Sequence, residues 1–451
     1  MTETLRGQAA IVGIATAGAG QAPGRMSIEL LGEAAIAALR DAGIPLGEVD
    51  GVFAATGVHG LPALSVAEYL GLSPRYIEGT NIGGSSFENH LLQAAAALQA
   101  GLCEVALIAY GSNQRTAGGR LVSLSEPQWH ETPYQPRHPI TGYAMAAARY
   151  MYQYGATRED LAAVAVAARK WANRNPEAFA RGPLSIEDVL KSRMVSDPLT
   201  VADCCLVTDG GAACVLVRAD RARDLRRKPI YLLGAGVAAS HRSIAQMRDL
   251  TVTAAVESGE RAFAMAGVGR KDVDLLMLYD AFTINTILFL EDLGYCPKGK
   301  GGRFVASGAI DPGGALNVNT NGGGLSCVHP GMYGLFLIVE AVTPAPRSGR
   351  RAAGRGRDRA LPRQRRNTRL PGYRHPWHAR DALNHGFHLR FPDGLQDPRG
   401  QAALHLAGRR LPCAFRGLRP GPDRPAAVRL CRAGAVQTPS RGRPHAHFQG
   451  R

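Results

Sequence analysis

A histidine close to a run of glycines is the strongest chemical signal in the sequence. The segment reads NTNGGGLSCVHPGMYG and carries Asn321, Gly323 and Gly324 ahead of His329. Glycines let backbone N–H groups approach a ligand carbonyl, and an imidazole can donate to an oxyanion or act as a general acid or base. We therefore predict a catalytic role for His329, and substrate binding by the other three residues. Cys327 is expected to be a small buried hydrophobic residue.

Two tyrosines have the right chemistry to move protons near such a site. Tyr279 lies in the motif YDAFT, and Tyr333 follows the histidine within NTNGGGLSCVHPGMYG. A phenol can give a proton to a carbinol oxygen or take one from it. Both are candidates for proton transfer, with the alternative that Tyr333 is an aromatic packed at the start of the helix GLFLIVEAV. Asp280 is expected to orient its loop rather than to react.

The segment TNIGGSSFENHLL predicts the start of a helix, with two serines after a glycine pair. The free N–H groups at a helix N-terminus can bind an anion or position a carboxylate. Gly84 and Ser85 are therefore predicted to contact the substrate. A serine needs an adjacent base to be nucleophilic, so Ser85 and Ser86 are expected to be helix caps.

The elements that must position these residues repeat along the chain. AALRDAGIPLGEVDGVFA (37–54) aligns with ERAFAMAGVGRKDVDLLML (260–278), each a helix that ends at a glycine and leads into an apolar strand. Strands and helices alternate elsewhere, which predicts parallel strands joined by crossover helices. We predict an N-terminal half at residues 1–228 and a truncated C-terminal half at 229–342. An insertion at 113–200 is typical of a lid.

The net charge of +16 comes from one segment of the chain. Residues 344–451 contain 24 arginines and five aspartates but no lysine or glutamate, which leaves 29 basic and 32 acidic residues in the body. This composition is typical of a disordered basic tail that contacts acidic partners, or of a reading frame that slips near Val342. Codons reread one nucleotide later from Thr343 permit Arg-Gln-Leu-Arg-Gly, then His-Gly-Asn-Gly-Gly-Thr-Leu and Ala-Thr-Ala-Ile-Leu. The sequence therefore predicts an out-of-frame, disordered tail at 343–451.

Several function classes are disfavoured by the composition of the body. Eight cysteines show no C-x-x-C spacing, so neither a zinc site nor a disulfide scaffold is predicted. The N-terminus lacks the pattern of a signal peptide, and no apolar run reaches the length of a membrane helix. We predict a cytoplasmic protein with no metal, no bound cofactor, no membrane contact and no nucleic-acid partner.

Further motifs carry a resemblance to a known family. They read YGATREDLAAVAV, NPEAFARGPLSIEDVLKSRMVSDPLTVADCC, VTDGGAACVLV, YDAFT and NTNGGGLSCVHPGMYG. Together they resemble the thiolase superfamily, most closely its sterol-carrier-protein-X or lipid-transfer-protein branch. The resemblance implies a five-layered α/β/α/β/α fold of two similar halves, with acyl-CoA thioesters as substrates. It also implies a nucleophilic cysteine at the position that is Gly84 here.

The missing cysteine favours one of the functions that the resemblance implies. Lipid-transfer-type members that cleave side chains by retro-aldol chemistry resemble this chain in lacking it and in having tyrosines at the positions of Tyr279 and Tyr333. We predict C–C cleavage of a β-hydroxyacyl-CoA, in which one tyrosine takes the hydroxyl proton while His329 and the glycine-rich loop stabilise the enolate. The alternatives are acetyltransferase-type Claisen chemistry with Cys327 or Ser85 as nucleophile, a non-catalytic lipid-CoA-binding subunit, and an inactive product of a damaged frame. A homodimer and a small OB-fold partner with a zinc ribbon are also implied.

Overall fold

The computed structural model describes residues 5–118, 129–243 and 246–343. The predicted out-of-frame tail lies outside the described residues, apart from Thr343. The strands are β1 (Ala9–Gly20), β2 (Gly51–Ala54), β3 (Tyr76–Glu78), β4 (Ala106–Ser112), β5 (Met194–Ser196), β6 (Leu199–Thr200), β7 (Asp209–Arg218) and β8 (Ile230–Tyr231). The α-helices are α1 (Ser27–Ala42), α2 (Pro62–Leu70), α3 (Ser86–Gln99), α4 (Ile140–Tyr154), α5 (Arg158–Ala172), α6 (Ile186–Lys191), α7 (Ala219–Ala222), α8 (Ala255–Ala266), α9 (Thr283–Asp292), α10 (Gly301–Ala306), α11 (Gly323–Ser326) and α12 (Gly334–Val342).

A six-stranded sheet with the order β3-β2-β4-β7-β1-β8 forms the centre of the N-terminal half. β2 pairs in parallel with β3 and β4, whereas β7 runs antiparallel to both β4 and β1. The prediction of parallel strands is therefore correct for β1 to β4 and wrong for β7 and β8. β7 follows the long excursion after β4, so no short crossover helix fixes its direction.

Helix α1 covers one face of this sheet and approaches β1 very closely. A Cβ built on Gly13 would lie 2.1 Å from the carbonyl oxygen of Ala38 and 2.9 Å from the Cβ of Ala42. Both distances are shorter than van der Waals contact, so the helix can pack at this depth only because residue 13 is glycine.

The predicted duplication is present in the backbone. Helix α1 ends at Gly43 with φ +75°, and helix α8 ends at Gly267 with φ +63°, a left-handed conformation that glycine adopts readily. A short 3₁₀ turn follows in each copy, at Leu46–Glu48 and at Arg270–Asp272. The two halves therefore share a helix, a glycine and a turn that leads into the next extended segment.

The two helices predicted within the insertion are confirmed as α4 and α5. Leu161 and Val164 of α5 are buried in one cluster with Ile284 and Ile287 of α9. The indole Nε1 of Trp171 donates to the carbonyl oxygen of Ile310 at 2.9 Å. Helix α5 is therefore a core element of the molecule rather than a surface cover. None of the helices in the described ranges has the length and apolar character that a membrane crossing requires.

Candidate active site

The phenol of Tyr279 fills the space that a side chain at position 84 would need. A Cβ built on Gly84 would lie 2.0 Å from Oη of Tyr279, 2.3 Å from its Cε2 and 2.4 Å from its Cζ. These distances leave no room for any side chain while the ring is in place. A residue of the C-terminal half therefore occupies the place expected for a nucleophile of the N-terminal half.

Two helix N-termini meet at this phenol. The backbone N–H of Tyr333, the residue before α12, donates to Oη of Tyr279 at 2.9 Å. The next N–H, of Gly334, donates to the carbonyl oxygen of Gly84 at 3.2 Å, and Ser85 immediately precedes helix α3. The positive ends of both helix dipoles therefore favour negative charge that develops at or near Oη.

The three predicted catalytic residues are brought together. The ring of His329 lies 5.8 Å from that of Tyr279 at 82°, and 5.7 Å from that of Tyr333. The imidazole is buried, and neither ring nitrogen has a hydrogen-bond partner within the described residues. Burial lowers the pKa of His329 to about 4, so the ring is neutral near pH 7. It therefore offers one N–H and one lone pair to a ligand.

The backbone around His329 is held by residues of the N-terminal half. The N–H of His329 donates to Oγ1 of Thr208 at 2.9 Å, and its carbonyl oxygen accepts from Nε2 of Gln114 at 2.8 Å. The hydroxyl of Tyr110 donates to the carbonyl oxygen of Pro330 at 2.5 Å. These contacts fix the position of the imidazole relative to the sheet.

The glycine-rich loop surrounds a buried carboxyl group. The N–H of Gly324 donates to Oδ1 of Asp280 at 2.7 Å, and that of Gly323 donates to Oδ1 of Asn321 at 2.8 Å. A Cβ on Gly323 would lie 2.0 Å from Oδ2 of Asp280, so this glycine is required for the carboxyl group to enter. Burial raises the pKa of Asp280 to about 7, against the opposing effect of the N–H donors. The N–H groups of Gly323 and Gly324 are therefore engaged by the side chains of Asn321 and Asp280.

Tyr333 is both packed and hydrogen-bonded. Its ring is fully buried and stacks on Phe336 with an interplanar angle of 13°. Its Oη lies 3.2 Å from Nδ2 and 3.3 Å from Oδ1 of Asn321. Burial raises the pKa of Tyr333 and of Tyr279 well above the usual phenol range, so both are protonated near neutral pH.

The serines and the cysteine differ in how far they follow the sequence expectations. Ser85 occupies the N-cap position of α3, but its exposed side chain makes no capping hydrogen bond. Ser86 is not a cap: its hydroxyl donates to the carbonyl oxygen of Gly83 at 2.6 Å and accepts from the N–H of Ile82 at 2.9 Å. It therefore closes the loop before the helix. Cys327 is buried as expected, and burial raises its pKa.

Sequence reasoning missed Glu88, which lies in the first turn of α3. A Cβ on Gly334 would lie 2.4 Å from Oε2 of Glu88. This oxygen is buried and has no hydrogen-bond partner among the described residues, although part of the Glu88 side chain reaches solvent. Burial raises the pKa of Glu88 to about 7. The available signal was an acidic residue in the first turn of a helix that begins at the site.

Similarity to known proteins extends over most of the body. Residues 236–354 match the thiolase C-terminal domain-like family. The 17-hydroxy-3-oxo-4-pregnene-20-carboxyl-CoA lyase of Mycobacterium tuberculosis is 35% identical over 355 residues, which cover 75% of this chain and 91% of that protein. The chain belongs to the thiolase superfamily. The resemblance stated from the motifs, and the thiolase fold with it, are thereby confirmed.

Relatives within the thiolase superfamily carry two kinds of name. The acetyl-CoA acetyltransferase of Methanothermobacter thermautotrophicus is 33% identical over 332 residues, covering 70% of this chain and 84% of that protein. Among solved structures, the Ltp2-ChsH2(DUF35) aldolase superposes with a TM-score of 0.69 at 33% identity, covering 75% of this chain and 90% of that chain. Lyases or aldolases and acyltransferases are therefore both represented among its relatives.

Proposed function

We propose that this thiolase-superfamily enzyme is a lyase that cleaves a C–C bond of a β-hydroxyacyl-CoA by a retro-aldol reaction. The observation that carries this proposal is the phenol of Tyr279 in the space of a side chain at Gly84. Claisen chemistry of the thiolase type needs a nucleophile that holds the acyl group. Retro-aldol cleavage needs only proton transfer and stabilisation of an enolate. Similarity to a CoA lyase and to a solved aldolase supports the same choice.

The proposed reaction begins with the substrate's β-hydroxyl against Oη of Tyr279. As the hydroxyl proton moves to Oη, the phenol passes its own proton towards the thioester that becomes the enolate, and the N–H of the neutral imidazole of His329 donates to the enolate oxygen. The Cα–Cβ bond breaks, its electron pair forms the thioester enolate, and the β-carbon becomes the carbonyl of an aldehyde or ketone. Return of the proton to Cα gives the shortened acyl-CoA. The raised pKa of Tyr279 is the reason for this relay, because a buried neutral phenol can accept a proton only as it releases one.

The enolate is stabilised in this proposal by the helix N-termini that meet at the site. Gly84 and Ser85 precede α3, and Tyr333 precedes α12, so both helices present their positive ends to the thioester oxygen. Asn321 contributes to substrate binding by positioning the hydroxyl of Tyr333, to which it is hydrogen-bonded. Gly323 and Gly324 contribute by placing the loop around Asp280.

Acyl transfer is the second candidate, favoured by the acetyltransferase relative at 33% identity. It would require Cys327 or Ser85 as nucleophile. Burial raises the pKa of Cys327, which disfavours the thiolate. No hydrogen bond from a general base reaches the hydroxyl of Ser85 within the described residues. A non-catalytic lipid-CoA-binding subunit has no observation of its own in its favour.

Two protein partners belong to the same proposal. β3 is an edge strand of the sheet; Ile77 on this strand is 42% exposed, and Ile82, four residues after its end, is 50% exposed. An exposed apolar edge supports pairing with a second copy of the chain. The name of the solved Ltp2-ChsH2(DUF35) aldolase contains two components, which supports a protein partner for this chain; that the partner is a small OB-fold protein with a zinc ribbon rests on the resemblance of the motifs alone.

The test is release of an aldehyde or ketone from β-hydroxyacyl-CoA substrates, before and after alkylation with iodoacetamide. The chain as written and a frame-corrected chain are assayed side by side, each with the OB-fold partner. We expect carbonyl release that survives alkylation and is lost in Tyr279→Phe. Inactivation by iodoacetamide that acyl-CoA prevents, together with acyl exchange, would instead establish the acyltransferase alternative.

A further inference from the structure

The close contact between β1 and α1 is repeated in the C-terminal half. A Cβ on Gly234 would lie 2.2 Å from the carbonyl oxygen of Ala262 and 2.9 Å from the Cβ of Ala266, both in α8. A Cβ on Gly13 would lie 2.1 and 2.9 Å from the matching atoms of α1. The segment around Gly234 therefore corresponds to β1, and α8 corresponds to α1.

A second pairing is repeated as well. Leu276 pairs in parallel with Val318, and its N–H and carbonyl oxygen each make a 2.9 Å backbone hydrogen bond there. In the N-terminal half, Val52 of β2 pairs in parallel with Ile77 of β3, and α3 follows β3 as α12 follows Val318. The segments at 275–278 and around Val318 therefore correspond to β2 and β3.

Two strands of the N-terminal sheet have no counterpart among the described residues of the C-terminal half. In the N-terminal half, β4 and β7 lie between β2 and β1. Within the described ranges of the C-terminal half, no strand lies between 275–278 and the segment around Gly234. At the usual spacing of neighbouring strands, two strands between these segments would need an opening of about 14 Å.

The burial of matched residues supports the same conclusion. Val12 precedes Gly13 in β1 and is 0% exposed, whereas Leu233 precedes Gly234 and is 42% exposed. β4 is buried along its whole length and β7 along nearly all of it, so strands that completed the second sheet would have to be apolar. Leu233 therefore lies at an uncovered apolar position that its counterpart in the first half does not have.

We propose that the C-terminal half carries a two-strand slot between 275–278 and the segment around Gly234, and that its occupant is encoded in the shifted frame after Val342. β4 follows α3 in the chain, so its counterpart must follow α12, which ends at Val342. The shifted frame permits a glycine-rich loop and then Ala-Thr-Ala-Ile-Leu, an apolar run that suits a central strand. Read in the given frame, residues 344–451 contain no isoleucine and many arginines and prolines. That composition does not suit a central strand.

Hydrogen exchange measured by mass spectrometry on two full-length chains tests this proposal. One chain is the protein as written, and the other is corrected by one nucleotide at codon 343. Within 231–237 and 275–278, the amides that have no backbone acceptor among the described residues, such as those of Gly234 and Met277, should exchange at least about 100-fold more slowly in the corrected chain, because ladder hydrogen bonds then protect them. β1 and β2 are the internal controls and should be slow in both chains. Equal exchange of 231–237 in the two chains would overturn the proposal.

A second variant identifies the occupant and also serves if the chain as written does not stay soluble. In the corrected chain, proline replaces the isoleucine of Ala-Thr-Ala-Ile-Leu, which removes a ladder donor from the centre of the strand. Exchange of 231–237 should become fast again while β1 remains slow. Unchanged slow exchange at 231–237 would assign the slot to another segment and refute the proposal.

Discussion

The substitution Gly84→Ala tests the central feature of the site with a single methyl group. That methyl would lie 2.0 Å from Oη of Tyr279 and 2.3 Å from its Cε2, more than 1 Å inside ordinary contact. The ring must then shift, and Oη loses the 2.9 Å hydrogen bond from the N–H of Tyr333. Overpacking costs about 1–3 kcal/mol and a buried unpaired N–H about 1–3 kcal/mol, partly shared. We expect the free energy of unfolding to fall by about 2–4 kcal/mol.

The same shift should lower activity, because displacing a catalytic group by about 1 Å costs on the order of 100-fold in rate. Chemical denaturation and carbonyl release are measured for the frame-corrected Gly84→Ala, Tyr279→Ala and the double variant. Most of the stability cost of Gly84→Ala should disappear once Tyr279 is alanine, whereas activity should stay low. Gly47→Ala is the matched control, since its Cβ has no neighbour within 4 Å. Additive stability costs in the double variant, or full activity of Gly84→Ala, would refute the reasoning.

Three further predictions concern protonation and positioning. Tyr279→Phe keeps the ring but removes the hydroxyl, so kcat for carbonyl release should fall about 10²–10⁴-fold while substrate binding, measured by titration, changes little. The pKa of Asp280 is raised to about 7, so the stability that its carboxyl group contributes is lost as pH rises from about 4 to 7. The pKa of His329 is lowered to about 4, so the stability that its imidazole contributes is lost as pH falls from about 6.5 to 4. The melting temperature of Asp280→Asn should therefore fall more steeply on acidification than that of the parent, and His329→Gln should show the opposite change; parallel curves would contradict the shifts. Thr208→Val removes the acceptor of the His329 N–H, so kcat should fall with little change in KM, and an unaltered kcat would exclude this positioning role.

Helices were predictable because their signals are local. The segment SIELLGEAAIAALRDAG predicted α1, which runs over Ser27–Ala42 and stops at Gly43 with its left-handed φ. The segment GLFLIVEAV is α12 without a change of bounds. The direction of β7 was not predictable, since it depends on pairing with β1 and β4 across long stretches of chain. Parallel and antiparallel central strands have the same apolar composition when both faces are covered.

The site was only partly predictable for the same reason. Motifs placed His329, Tyr279 and Gly84 as separate candidates, each from its own few residues. The contact between Tyr279 and Gly84 joins the two halves, and no local pattern contains it. The hydrogen bond from the N–H of Gly324 to Asp280 likewise exists only once the loop is folded. The sequence alone suggested that this N–H group binds substrate, and it could not show that Asp280 accepts from it.

The support of His329 by the N-terminal half has a consequence for how the chain folds. Thr208 and Gln114 hold the backbone of His329, and Gly84 accepts from the first turn of α12. Each half can form its own helices early, because those contacts are local, but the catalytic geometry arises only when the halves dock. Activity should therefore return in the last phase of refolding, after helical circular dichroism has recovered. The recovery of activity during refolding therefore reports when the two halves dock.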